Sequence, residues 1–203
     1  MKKCRKFAAA VLALAALLTG CGQPGGPEAV DGTTVVVDKN GGITYYLVGY
    51  FGKEYYSLSE LTAMAEEEAA EFNAEKASGE GQAVTVTSVG LLESDESQAV
   101  VAYDFDGGSS FTEFTGSRFF FGTVNEALSL GYSLDGVLES VKDGSVRTEE
   151  QLKEDGEKQV LITDAEARIY CPSKVTYLGG GQLQEDGSVD ASRTEGTVYI
   201  LLK

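Results

Sequence analysis

Residues 33–51, TTVVVDKNGGITYYLVGYF, constrain the fold of this chain more than any other stretch. Two runs of β-branched and aromatic residues, 33–37 and 43–51, flank the five residues Asp38-Lys39-Asn40-Gly41-Gly42. Asn and Gly take positive φ at little steric cost, so the pattern predicts a β-hairpin closed by that loop. A hairpin pairs its strands antiparallel, with no crossover helix. Further strand-like runs follow at 83–92 and 98–105 (around Glu93-Ser94-Asp95-Glu96), and at 118–121, 138–141, 159–162, 168–171, 175–178 and 197–202. No regular alternation of strand and helix accompanies them, which argues against a doubly wound parallel sheet. The expectation is an α+β fold: an antiparallel-dominated sheet with one long amphipathic helix and one or two short helices, in a single acidic domain over 33–203. A division near 143–157 into two small lobes is the alternative arrangement.

The long helix is expected over 57–77. Ser57 and Glu60 fit the S-x-x-E capping box, in which each side chain satisfies an orphan backbone N–H. Leu58, Leu61, Ala65, Ala69 and Phe72 recur at spacings of three and four and make one apolar stripe. Glu66, Glu67, Glu68, Glu71 and Glu75 fall on the other, solvated face, and Gly79-Glu80-Gly81 ends the helix. A helical turn over 110–116 presents Phe111 and Phe114. Thr123-Val124-Asn125-Glu126 is a second capping box, with Val124, Ala127 and Leu128 inward and Gly131 at a left-handed C-cap. Another turn of helix is expected over 148–153. Pro172 bends the β-rich tail, and Gly187 and Gly196 mark turns.

Missing residue types exclude several chemistries. The chain has no His, which removes imidazole-activated Ser and Cys nucleophiles and His-containing zinc sites. Of its three Cys only Cys171 lies in the folded body, so no internal disulfide forms there. The strand-like surroundings of Cys171 mark a buried, inert thiol. The absence of Trp weakens a sugar-stacking role. The formal net charge is −16, so nucleic acid is not an expected partner: phosphate recognition needs a basic patch.

The N-terminus carries a separate signal. MKKCRK precedes an uncharged run of twelve residues, 7–18, rich in Ala and Leu, which is the pattern of a secretory signal. A membrane-spanning helix needs about 20 apolar residues, so this run is too short for one. It ends Leu18-Thr19-Gly20-Cys21, which resembles the lipobox of bacterial lipoproteins. The resemblance implies cleavage after residue 20, a diacylglyceryl group on the Cys21 thiol, and anchorage at the outer face of the cytoplasmic membrane. Two acyl chains hold where one is marginal, each buried methylene contributing about 0.8 kcal/mol. Residues 1–20 are then the signal, and 21–32, CGQPGGPEAVDG, the lipidated Cys and a flexible tether. Losing the four cations of the signal takes the mature charge to −20. In its hairpin, acidic helix and the stretch FFFGTVNEALSLGY (119–132), the body is also similar to uncharacterised lipoproteins of anaerobic Gram-positive gut bacteria. That family implies no activity.

Candidate sites are few. Tyr45, Tyr46, Tyr50, Phe51, Tyr55 and Tyr56 fall within twelve positions. On a strand Tyr45, Leu47 and Phe51 face one way and Tyr46, Val48 and Tyr50 the other, so one face is core. Tyr46, Tyr50, Tyr55 and Tyr56 are the candidates for an exposed platform that takes sugar or peptide. Asp104-Phe105-Asp106-Gly107-Gly108-Ser109 fails as a calcium loop, with Gly108 at position 5, Ser109 in place of the turn glycine and Thr115 in place of the bidentate acid. Adventitious Ca²⁺ at Asp104 and Asp106 is the most it suggests; no catalytic residue or cofactor is assigned. Gly179-Gly180-Gly181 lacks the Lys-Ser/Thr of a phosphate loop. The expected function is a non-enzymatic module that binds an envelope protein or glycan. The alternative is a carboxylate-dependent glycan hydrolase, recognisable by two carboxylates about 5–5.5 Å or 6.5–9.5 Å apart in a cleft.

Overall fold

The computed structural model describes residues 30–76 and 82–203. The signal, Cys21 and the helix-ending Gly79-Glu80-Gly81 lie outside the described residues. The described chain is α+β, with twelve strands in two antiparallel-dominated sheets and four helices.

The first hairpin forms where the sequence places it. β1 (Thr34–Val37) pairs antiparallel with β2 (Ile43–Tyr50). Asp38 Oδ1 organises the loop, accepting from Asn40 N at 2.6 Å and Gly42 N at 3.0 Å, while Gly41 takes φ 87°. Helix α1 (Leu58–Glu75) follows. Half of its expected capping box forms: Ser57 Oγ accepts from Glu60 N at 3.4 Å and also meets Ser59 Oγ at 2.8 Å. Ala65 and Ala69 are buried, and Leu61 and Phe72 pack against the core, as their spacing requires. β3 (Val84–Leu91) and β4 (Gln98–Phe105) make the next antiparallel pair. Helix α1 rests on β3, fixed there by a polar clamp. Asn73 Nδ2 donates to Val84 O at 2.7 Å, and Val84 N donates back to Asn73 Oδ1 at 3.0 Å.

Three short helices follow, at the three places where the sequence suggests helical turns: α2 (Gly108–Thr115), α3 (Val124–Ser129) and α4 (Glu149–Glu154). Complete capping boxes start α3 (Thr123 with Glu126) and α4 (Thr148 with Gln151). The remaining strands are β5 (Phe119–Thr123), β6 (Glu139–Ser140), β7 (Gln159–Thr163), β8 (Arg168–Tyr170), β9 (Val175–Gly179), β10 (Gln182–Leu183), β11 (Val189–Asp190) and β12 (Val198–Leu202).

The single expected sheet is in fact two. One has the order β10-β11-β8-β1-β2-β4-β3 and the other β5-β7-β12-β9-β6. Only β1 with β8 pairs parallel among the described strands. The main core draws on both sheets, with Val35, Ile43 and Phe105 from the larger and Leu161, Ile200 and Leu202 from the smaller. Alternation along each strand puts the next residues outward. Ile162 and Leu201 therefore meet Leu134, Leu138 and Leu152 on the outer face of the smaller sheet. Val100 and Ala102 meet Val30, Tyr46 and Leu92 on the outer face of the larger. Val30, three residues before Thr33, is only 3 % exposed and belongs to this outer layer.

Phe111, on α2, is fully buried where the two sheets meet. Its ring centroid lies 5.3 Å from Tyr45 and 5.4 Å from Phe105 of the larger sheet, and 5.1 Å from Phe119 of the smaller. Phe111→Ala removes all three ring contacts and leaves a cavity, and is expected to cost about 3–5 kcal/mol. Urea denaturation at unchanged m-value measures this; a loss below about 1 kcal/mol would mean the rings do not join the sheets.

Candidate functional site

β2 ends at Tyr50, and residues 51–57 lead into α1. Three of the four candidate tyrosines stand out from this loop: Tyr50, Tyr55 and Tyr56 are 61 %, 75 % and 41 % exposed. Tyr46 is a correction. It is buried beside Val100 and Ala102, because Val30 and Leu92 cover the outer face of the sheet there. The exposed rings brace one another. Tyr55 and Tyr56 meet edge to face at 5.0 Å, and Phe51 packs on Tyr56 at 5.2 Å. Tyr50 donates its hydroxyl to Gly52 O at 3.2 Å, and Lys53 Nζ stands 5.9 Å from the Tyr50 ring centroid.

The other face of β2 holds a second feature. Leu47, which shares its face with Tyr45, is 42 % exposed. The reason is the placement of α1 over β3, which leaves the far end of β2 uncovered. A groove of roughly 580 Å³ opens there. Its floor is Leu47, Val101 and Tyr103, its wall Leu61, Met64 and Ala65, and its rim Glu67, Glu68 and Glu71. Leu47 and Val101 are direct cross-strand partners. Burial, and then the charge of Glu68, push the Tyr103 phenol up to about 12, so it stays neutral. Sequence reasoning missed this groove. Its trace is Leu61, Met64, Ala65 and Glu68 at i, i+3, i+4 and i+7, a stripe broader than the one read and closed by an acid. Three glutamates assigned to a solvated face line it.

Other candidates resolve simply. Asp104 accepts from Thr44 Oγ1 at 2.7 Å, and Asp106 is exposed. Among the described residues no group of three His, Cys, Asp or Glu is spaced to hold a metal ion. Burial pushes the Cys171 thiol up to about 12, where it carries no thiolate at neutral pH. A smaller hollow of roughly 310 Å³ surrounds Arg168 with Asp31, Glu166 and Asp190, leaving it net negative. Among the described residues no helix is long and apolar enough to cross a membrane.

One local device recurs unannounced. In four Asp-x-Ser turns the Asp Oδ1 accepts from the Ser two residues on: Asp95 from Ser97 Oγ at 2.7 Å, Asp143 from Ser145 at 2.7 Å, Asp186 from Ser188 at 2.6 Å and Asp190 from Ser192 at 2.6 Å. The same Ser backbone N–H donates to each. Donation to the charged form holds all four carboxyls below the usual range, Gln98 contributing most at Asp95. Glu126 and Glu149 are also lowered, by Thr123 and Lys153.

Geometry thus defines an α+β domain with an exposed tyrosine loop and an open, acid-rimmed groove. The chain matches no family model, no curated protein and no solved structure.

Folding lowers the pKa of these aspartates, so on acidification the unfolded chain takes up protons first. The stability they confer is complete above the unfolded value of about 3.9 and is lost as pH falls through the folded values, about 2 for Asp143. Ser145→Ala is expected to return Asp143 toward the ordinary carboxylate range in a carboxyl ¹³C NMR titration. An Asp143 that already titrates normally in the wild type contradicts the account.

Proposed function

We propose that this chain is a lipid-anchored module at the outer face of the cytoplasmic membrane, where it binds an envelope protein or glycan and performs no chemistry of its own. The observation that carries the binding role is the loop over 50–56. Its Tyr50, Tyr55 and Tyr56 expose large amphipathic rings, and the packing of Tyr56 against Phe51 and Tyr55 limits the freedom those rings have to lose. Rigid tyrosines give contact area at low entropic cost and carry a hydroxyl for orientation. The anchor is supported by the basic start, the short apolar run and Leu18-Thr19-Gly20-Cys21.

Two measurements test the parts separately. Cys21→Ala is expected to leave an unacylated precursor in cells fed a palmitate analogue; labelling equal to wild type sinks the anchor. A photo-crosslinking phenylalanine at position 55 is expected to capture a discrete adduct on intact cells, while the same group at exposed Leu130 does not. Equal capture from both positions, or none from 55, rejects the tyrosine loop as the binding surface.

A further inference from the structure

We infer that the groove beside α1 docks a basic amphipathic helix of a partner protein. This rests on the reading of the chain as a binding module and names a partner that the tyrosine loop does not. The groove has an apolar floor and wall, with Leu47 42 % and Met64 66 % exposed. Its rim is Glu67, Glu68 and Glu71, and none of the residues lining it is a cation. An occupant therefore needs an apolar face for the floor and cations along its edge. Lys and Arg meet both demands, laying alkyl stems on apolar surface while the charge reaches the rim.

Backbone pairing decides the form of the occupant. The floor strands β2 and β4 pair with each other throughout, Leu47 opposite Val101, and on the other side of β2, past its pairing with β1 at 43–46, Val48 N donates to Thr33 Oγ1 at 3.3 Å. The groove opens on the face of this sheet, where an occupant meets the side chains of Leu47, Val101 and Tyr103, so recognition runs through side chains. Helix α1 already forms one wall, and a second helix beside it at about 8–10 Å sits over Leu47. Met64 suits such a contact, because its unbranched thioether adapts to the surface it meets. Other occupants fit the charge poorly. A second copy of this chain brings the same glutamates, an anionic lipid surface is repelled by them, and a neutral glycan leaves three carboxylates unanswered.

The test uses the full chain and a synthetic helical peptide matched in length to α1 (18 residues), with leucine on one face and lysine on the other. Glu67→Gln/Glu68→Gln/Glu71→Gln is expected to weaken binding about tenfold, the sum of three exposed ion pairs. Glu93→Gln/Glu96→Gln/Glu195→Gln removes the same charge from exposed sites elsewhere and is expected to change affinity by less than about twofold, as screened charges do. Leu47→Asp/Met64→Asp separates docking from general attraction. It adds negative charge, so attraction alone tightens binding, whereas loss of the apolar floor weakens it.

A footprint on the unmutated protein needs no variant. Met64 is the only methionine besides Met1, and bound peptide is expected to slow its oxidation by peroxide. The inference is overturned if the peptide does not bind, if both glutamine triples weaken it equally, if Leu47→Asp/Met64→Asp binds as tightly as wild type, or if Met64 oxidises at the same rate with peptide present. Failure of the anchor or of the tyrosine loop moves none of these readouts, and failure here leaves acylation and crosslinking at position 55 unaffected.

Discussion

Two sheets can share a core only if something fills the space where they converge, and in this chain the filling is aromatic. Phe111 touches rings from both sheets, and Phe114 on the same short helix packs on Phe72, Tyr103 and Phe105. Edge-to-face and tilted contacts dominate, which suits the ring quadrupole better than face-on stacking. The connection matters more here than in a secreted domain laced by disulfides, since Cys171 is the one free thiol among the described residues. Strand β5 is brought to the larger sheet through Phe119, and with it come α3 and the outer layer of the smaller sheet. The eight residues of α2 thus hold much of the architecture.

The parts of this fold that were legible in the sequence are those whose signals are local. β1 and β2 announce themselves through β-branched runs around Asn40-Gly41-Gly42, and α3 through Thr123, Glu126 and Gly131. Pairing across the chain is not local. The parallel match of Thr34 with Arg168 leaves no trace in either segment, and so the division into two sheets could not be read. β10 and β11 have two residues each, too few to show a period. They are held instead by pairing, β10 to β11 and β11 to β8, and by the turn that Asp186 and Ser188 close.

The site was half legible for a related reason. Tyr50, Tyr55 and Tyr56 follow a strand end, where exposure is the default, and they are exposed. Tyr46, read as exposed, is buried, and Leu47 on the opposite face is exposed. Alternation correctly put them on opposite faces of β2, but which face is covered depends on Val30 behind it and on α1 beside it. Periodicity assigns faces; only tertiary placement says what lies against them.

The Asn73 clamp carries this further. By engaging both backbone groups of Val84, the Asn73 amide fastens the second half of α1 to the outermost strand of the larger sheet. A helix free to slide inward along the sheet would close over Leu47 by itself and bury it. Held at the margin, α1 leaves Leu47 uncovered and the cleft beside it open. Whatever enters meets a preorganised surface and need not part packed elements to reach it, so less of the contact energy is lost to rearrangement. A single amide, about four turns from the start of α1, thus joins the packing of Ala65, Ala69 and Phe72 in placing the helix that walls the groove.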